Sequence, residues 1–238
     1  NRVIFVRENF RYAARFLRMH RLVADGVLAD LGVSSFQLDT AERGFSTRFD
    51  ALLDMRMDRR NPLTAAIILN SYSLKELELV FEKYGEVTNA RGLAEKIVEV
   101  RTRMKLQTIQ EFKQHTSNLV YGNPNKYLAQ VFQALRIEVN DELNALKDFL
   151  QEISMRMNVN GRLVIITFHS LEDRLVKQWM KNEYFGESEV DFLPQKKVKT
   201  LDVLTKKPIL PSKEEQTQNP RSRSAKLRVA KKIETINK

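Results

Sequence analysis

Asp25-Gly26-Val27-Leu28-Ala29-Asp30-Leu31-Gly32-Val33-Ser34-Ser35-Phe36-Gln37 is the stretch on which the fold turns. An apolar run reaches an acid and opens at once into a Gly/Ser loop. In an open parallel sheet ligands sit just beyond the carboxyl ends of strands, so an acid there faces a small molecule rather than the core. The competing reading is an Asp-Leu-Gly turn that merely leaves a strand.

Working outward, Val3–Arg7 is a short β-branched run that predicts a first strand. Phe10–His20 has helical spacing, with Phe10, Ala13, Ala14 and Leu17 on one face. Val27–Asp30 is the second strand, and Leu163–Phe168, entered by the turn Asn158–Gly161, is the third. Strands joined through a helix run parallel, and such sheets are covered on both faces. Ahead of the third strand, Val131, Leu135, Val139, Leu143, Leu146, Leu150, Ile153 and Met157 recur at steps of four or three. They predict one unbroken amphipathic helix.

Between the second and third strands the character changes. Residues from about Pro62 to Gly122 show helical periodicity and no convincing strand. Ser73 and Glu76 have the spacing of a capping box, and Ala90–Met104 reads as an amphipathic helix. This is far longer than an ordinary connection. The expected architecture is an α/β domain, 1–42 with 131–238, carrying an all-helical insertion subdomain, 43–130. From Asp191 the chain is Pro- and Lys-rich, with one terminal strand expected around Ser224–Ala230.

With 238 residues, 42% hydrophobic and 29% charged, the chain can bury the core of one large domain or two modest ones. There is no cysteine, which rules out disulfides and thiolate metal sites and fits a reducing cytosol. No apolar run approaches the ~20 residues of a membrane helix, and no signal-peptide pattern opens the chain, so no membrane is expected. Net charge is +10, and Pro194–Lys238 holds 13 Lys+Arg against 4 Asp+Glu. A basic tail marks a polyanion binder, nucleic acid first and anionic membrane second. A solvated tail that only aids solubility is the plainer alternative.

Two further stretches carry chemistry. Phe168-His169-Ser170-Leu171-Glu172-Asp173-Arg174 ends the third strand, which in a parallel sheet puts His169 and Ser170 on the same rim as Asp30. A capping or packing histidine is the alternative. Arg43-Gly44-Phe45-Ser46 and Leu53-Asp54-Met55-Arg56-Met57-Asp58 alternate apolar and charged residues where a loop belongs. Arginine beside an aromatic suits base stacking and phosphate contact; an ion-paired linker through Asp54, Arg56 and Asp58 suits the pattern equally. There is no nucleophile elbow, no Walker loop and no His/carboxylate cluster at metal spacing, so hydrolase, NTPase and zinc readings lose.

Six segments taken together closely resemble the bacterial ribosomal RNA small-subunit methyltransferase H family (RsmH, formerly MraW). They are Asp30–Asp39, Arg43–Ser46, Leu53–Asp58, Phe132–Leu143, Phe168–Arg174 and Asn219–Arg228, in family order and over most of the chain. The resemblance implies a class I (Rossmann-like) fold with a helical insertion and S-adenosylmethionine as cofactor. It implies methylation of the N4 amine of a cytosine in 16S ribosomal RNA of the 30S subunit, with self-association into a homodimer as an option. Asp30, Gln37 and Phe10 match cofactor-contacting positions. Asp30, Ser34, Ser35, His169 and Ser170 are the expected catalytic set around the base. Arg43, Phe45 and Arg56 are expected on flanking nucleotides, and Arg221, Arg223, Lys226 and Arg228 on phosphates. The cytosine amine is a poor nucleophile because its lone pair is delocalised, so it must be held in line with the sulfonium methyl and offered a hydrogen-bond acceptor.

The resemblance also carries departures. Family members have, ahead of the position of Asn1, a strand with a glycine-rich cofactor loop and a second strand ending in a ribose-binding acid. The eight glycines here include no Gly-x-Gly cluster. The sheet is therefore expected to be N-terminally incomplete, and this polypeptide alone to be inactive and to bind S-adenosylmethionine weakly or not at all. The loop Asn118–Lys126 is less basic than in the family. Other readings on the same scaffold are a different methyl acceptor or a non-catalytic RNA-binding, ribosome-assembly protein.

Overall fold

The computed structural model describes residues 2–185 and 199–234. In chain order these form α1 (Ala13–Met19), β1 (Ala24–Asp30), α2 (Ser35–Asp39), α3 (Ala65–Ser71), α4 (Leu74–Gly85), α5 (Ala90–Arg101) and α6 (Ile109–Thr116). There follow α7 (Pro124–Asn140), α8 (Glu142–Ile153), β2 (Met157–Thr167), α9 (Ser170–Asn182), β3 (Leu201–Val203), α10 (Lys213–Gln218) and β4 (Lys226–Lys232). No helix among the described residues is long and apolar enough to cross a membrane. Two units emerge from the packing, Asn1–Gly32 with Leu143–Lys238, and Val33–Glu142.

The first unit is built on one four-stranded sheet in the order β1-β2-β4-β3. β1 and β2 are parallel, and β4 runs antiparallel to both β2 and β3. β1, β2 and β3 thus share a direction and β4 alone opposes it. Its core joins Leu163 and Ile165 of β2 and Ala230 of β4 to Leu146, Leu150 and Ile153 of α8 and to Val176 and Trp179 of α9. At about 25 cal/mol per Å² of apolar area removed from water, such side chains contribute roughly 2 kcal/mol each to holding the layers together.

The second unit is helical. Leu77 and Phe81 of α4, Leu93 and Ile97 of α5, Phe112 of α6, and Val131 and Leu135 of α7 are all buried in one core. Ser73 and Glu76 cap α4 reciprocally, as their spacing requires, and Thr108 with Glu111 does the same for α6. All of α7 and the segment from Val33 belong to this unit, so its bounds lie at 33 and 142 rather than at 43 and 130. The burial of α7's apolar face against α4 explains the shift, because a helix that fills a core cannot be divided from it.

Four local expectations change. Val3–Arg7 forms no strand and pairs with none among the described residues, and Val3 and Phe5 are exposed; β-propensity without a ladder partner makes no strand. Leu28 of β1 is exposed, so β1 is covered on one face only. Asn158–Gly161 lies within β2, opposite a register shift between Ala24 and Gly26, with Asn160 left-handed. The apolar stripe from Val131 to Met157 is two helices. Asp141 turns left-handed at φ 51°, its N–H bonded to the carbonyls of Glu138 and Ile137, and ends α7. The stripe looks continuous because its first half fills the helical core and its second half fills the sheet core. The terminal strand around 224–230 is present as β4, while Asp191–Val198 lies outside the described residues.

Gly44 closes the turn after Arg43 with φ 69°, and a Cβ there would collide with the Leu52 carbonyl oxygen and meet the Asp54 nitrogen at 2.9 Å. Gly44→Ala is expected to destabilise the protein by about 3 kcal/mol, since left-handed strain and a backbone clash add. The denaturant midpoint of the variant measures it.

Candidate functional site

The carboxyl rim of the parallel pair is set by register. Asp30 lies opposite Ile166, and the Leu31 N–H donates to the Ile166 carbonyl at 3.1 Å. The chain then leaves at Gly32 in a left-handed turn (φ 84°), where a Cβ would lie only 3.5 Å from the Phe168 ring. The structure therefore brings Asp30, Gly32 and Phe168-His169-Ser170 together on one rim. Leu31 anchors the rim in the core, whereas Asp30 is exposed and makes no side-chain hydrogen bond or ion pair among the described residues. Phe10, in the turn before α1, meets Phe149 edge-on at 5.4 Å and stays 38% exposed.

The acids that follow the rim hold it in shape. His169 is the N-cap of α9, its Nδ1 accepting from the Glu172 N–H at 3.4 Å. The Glu172 carboxylate accepts in return from the Phe168 N–H at 2.9 Å and the His169 N–H at 3.4 Å. His169 Nε2 lies 3.3 Å from the same carboxylate but makes no hydrogen bond. His169 is thus a capping residue, while Ser170, the first residue of α9, is exposed.

Asp173 accepts a two-pronged bond from Arg228, Nε at 2.6 Å and Nη2 at 3.1 Å, with the Lys226 ammonium 3.5 Å away. Burial alone would raise its pKa; the Arg228 bonds and the two positive charges outweigh burial and hold the carboxyl below its ordinary value. Arg228 is buried at 5%. It fastens β4 to α9 and is not a phosphate contact. Of the other basic residues expected on phosphates, Arg221 and Arg223 are exposed on the turn Pro220–Ser224 and Lys226 is half-buried.

In the helical unit most motif residues are similarly committed. Ser34 caps α2, accepting from the Gln37 N–H at 3.2 Å, while its own N–H donates to Gln37 Oε1 at 2.9 Å. That leaves the Gln37 amide NH2 and the exposed Ser35 hydroxyl for a ligand. Arg43 donates to the carbonyls of Arg56 (2.6 Å) and Met57 (3.1 Å). Arg56 forks onto Asp54 at 2.7 and 3.0 Å. Phe45 is buried at 8% in the helical core. Asn140 accepts from the Met57 N–H (2.6 Å) and donates to the Met55 carbonyl (2.8 Å). Three motifs distant in sequence are therefore one hydrogen-bonded knot, in which the Arg43 and Arg56 side chains turn inward while Phe45 packs in the core. The ion-paired reading of Asp54 and Arg56 is the one the geometry supports.

Beside the knot opens a cleft of about 420 Å³, with Phe45 and Phe132 among its walls and Ser46, Thr47, Gln133 and Arg136 among its polar groups. Arg136 is held by Glu142 at 2.7 and 3.0 Å. Sequence reasoning missed Asn140, Arg136 and the acids Glu172 and Asp173. Only Glu172 left a local signal, three residues after a polar N-cap.

A sheet with three strands in one direction, one opposed, and an unpaired acid at the carboxyl rim fits a class I methyltransferase. The chain matches the MraW methylase family over residues 1–233 and belongs to it. It is 48% identical over 234 residues to the ribosomal RNA small subunit methyltransferase H of Flavobacterium psychrophilum, covering 97% of this chain and 80% of that one. It is 49% identical over 232 residues to the protein of the same name from Bacteroides fragilis (96% and 76%). The like-named protein of Amoebophilus asiaticus is 48% identical over 233 residues (96% and 74%).

Asp173→Asn leaves the Arg228 guanidinium buried without its counter-charge and is expected to cost about 3 kcal/mol. The folded carboxyl titrates below its unfolded value, so its contribution is complete above the unfolded pKa of about 3.9 and is lost as pH falls through the lower folded value. Urea unfolding at pH 7 and across pH 2–4 should show a less stable variant at neutral pH whose stability falls less steeply with acid.

Proposed function

We propose that this protein moves a methyl group from S-adenosylmethionine to the N4 amine of a cytosine in the 16S ribosomal RNA of the small subunit, in the cytoplasm. The observation that carries the reading is Asp30, an unpaired and exposed carboxylate on the rim it shares with Phe168–Ser170. The names of the relatives, all small-subunit ribosomal RNA methyltransferases, support the choice of substrate.

The residues present suit the cofactor. Asp30 offers a free anionic acceptor, Gly32 lets the backbone turn sharply beside it, and Phe10 offers a half-exposed ring. When bound, S-adenosylmethionine supplies an electrophilic sulfonium methyl. The Asp30 carboxylate accepts a hydrogen bond from the exocyclic amine and localises its lone pair. Ser170, whose hydroxyl makes no other bond among the described residues, donates or accepts toward the base edge. His169 acts by fixing the loop on which that serine stands. The aromatic and polar cleft beside Phe45 and Phe132 has the volume of a nucleoside site. A cytosine amine is paired in a duplex, so the target is taken unstacked.

In full-length protein, Asp30→Ala is expected to lower methyl incorporation into small subunits by about 100-fold, in line with the loss of one positioned proton acceptor. Transfer of radiolabelled methyl groups, with the product nucleoside identified by mass spectrometry, measures both rate and position. Activity within a few-fold of the unaltered protein overturns the role given to Asp30.

A further inference from the structure

Between Arg2 and Arg21 the chain carries six arginines and one acid, Glu8. Arg11, Arg15 and Arg18 recur at steps of four and three, which puts them on one stripe of the helical segment. The adjoining face is the apolar one. Ala14 is buried, Leu17 packs on the sheet core, and Phe10 rests on Phe149. Arg11 is tied to Asp148 at 2.9 Å. Arg15, Arg18 and Arg21 are exposed, and their side chains make no hydrogen bond or ion pair among the described residues.

Arg21 adds an independent observation. It ends α1 in a left-handed conformation, φ 55°, with its N–H on the Arg18 carbonyl (3.0 Å) and the Leu22 N–H on the Leu17 carbonyl (2.8 Å). This is the Schellman closure, in which stability favours glycine at the left-handed position. An arginine occupies it with no partner, which is a local stability cost with no structural return. The local charge agrees with this: residues 1–32 contain six basic and three acidic side chains, whereas residues 33–142 contain 15 of each, and most of the remaining positive charge lies apart in Pro194–Lys238.

We propose that Arg15, Arg18 and Arg21 form a phosphate-contacting surface for ribosomal RNA, separate from the basic residues near the carboxyl terminus. The inference rests on the RNA substrate proposed above and names a second place where that RNA is held. Guanidinium forks suit phosphate oxygens, and each contact displaces counterions, so binding through this face is salt-dependent. A membrane is the poorer partner, because a helix bound to a bilayer inserts its apolar face, and Ala13, Ala14 and Leu17 of α1 pack on the sheet core.

The test uses full-length protein carrying Arg15→Gln, Arg18→Gln and Arg21→Gly together. Affinity for a small-subunit ribosomal RNA fragment is titrated from 50 to 300 mM salt, beside methyl-transfer kinetics on small subunits. The expected result is an affinity at least about 10-fold weaker at low salt and a slope of log K against log salt about 2 units shallower. KM for subunits rises with it, kcat is unchanged, and Tm is unchanged or higher because glycine suits residue 21. Lysine at positions 15 and 18 restores most of the slope, since it restores the charge. Unchanged affinity and slope overturn the surface while leaving methyl transfer intact. Loss of binding to phosphatidylglycerol vesicles with RNA affinity unaltered overturns it in favour of a membrane. If the unaltered protein neither binds nor methylates the RNA, the substrate reading itself fails.

Discussion

The buried pair of Asp173 and Arg228 is the contact from which the rim of the sheet takes its shape. Side chains only 13% and 6% exposed face each other through two bonds, joining the first turn of α9 to β4. Buried ion pairs add little net stability relative to an apolar pair, because desolvation offsets most of their attraction. They are directional, however, and an arginine fork accepts a carboxylate in few orientations. An apolar contact would hold α9 on the sheet without fixing its rotation. With the rotation fixed, Glu172 reaches back to the N–H groups of Phe168 and His169 and sets the path of the chain leaving β2. Asp30 needs no such device, because strand pairing with β2 places it directly.

How much of this was legible depends on whether the cause is local. The capping boxes at Ser73 and Thr108, the helical periodicity of the insertion and the parallel pairing of β1 with β2 all follow from short-range patterns or from chain connectivity. The break at Asp141 does not. Asp141 is of a type that tolerates the left-handed region, but the apolar stripe runs through it because two cores draw on the same periodicity, and that continuity hides the break. β3, at three residues, is too short to show an alternation. Val3–Val6 has the composition of a strand, but a strand is a property of a pair, and no sequence window contains its partner.

The site divides along the same line. That Asp30 lies at a functional position is a topological statement, true of carboxyl ends in any open parallel sheet. That Arg43, Arg56 and Arg228 turn inward is a tertiary one. An arginine flanked by aromatic and apolar residues has the same sequence signature whether its fork meets a phosphate, a carboxylate or two backbone carbonyls. Burial separates the cases. The three inward arginines satisfy groups of the protein itself, and a motif rich in charge is here largely a motif of internal fasteners. Phe45 illustrates the same ambiguity for stacking, since an aromatic that suits a base also suits the core it occupies.

What remains free after this sorting is informative. The helical unit has no net charge, an aromatic cleft and hydrogen-bonding groups at its rim; the sheet unit carries all of the excess positive charge. Attraction between exposed charges fades over about 8 Å at physiological salt, so uncompensated arginines act on phosphates close to their own surface and not on the molecule at large. On the proposed reading the two units therefore meet the RNA through different physics. The sheet unit supplies affinity that weakens with salt and is indifferent to base identity, whereas the helical unit supplies shape and hydrogen bonding that salt barely alters. A protein built this way tolerates variation of individual arginines on α1, because each is one contribution among several. The knot of Arg43, Arg56 and Asn140 has less latitude, since each of its members satisfies a partly buried group that would otherwise lose its partner.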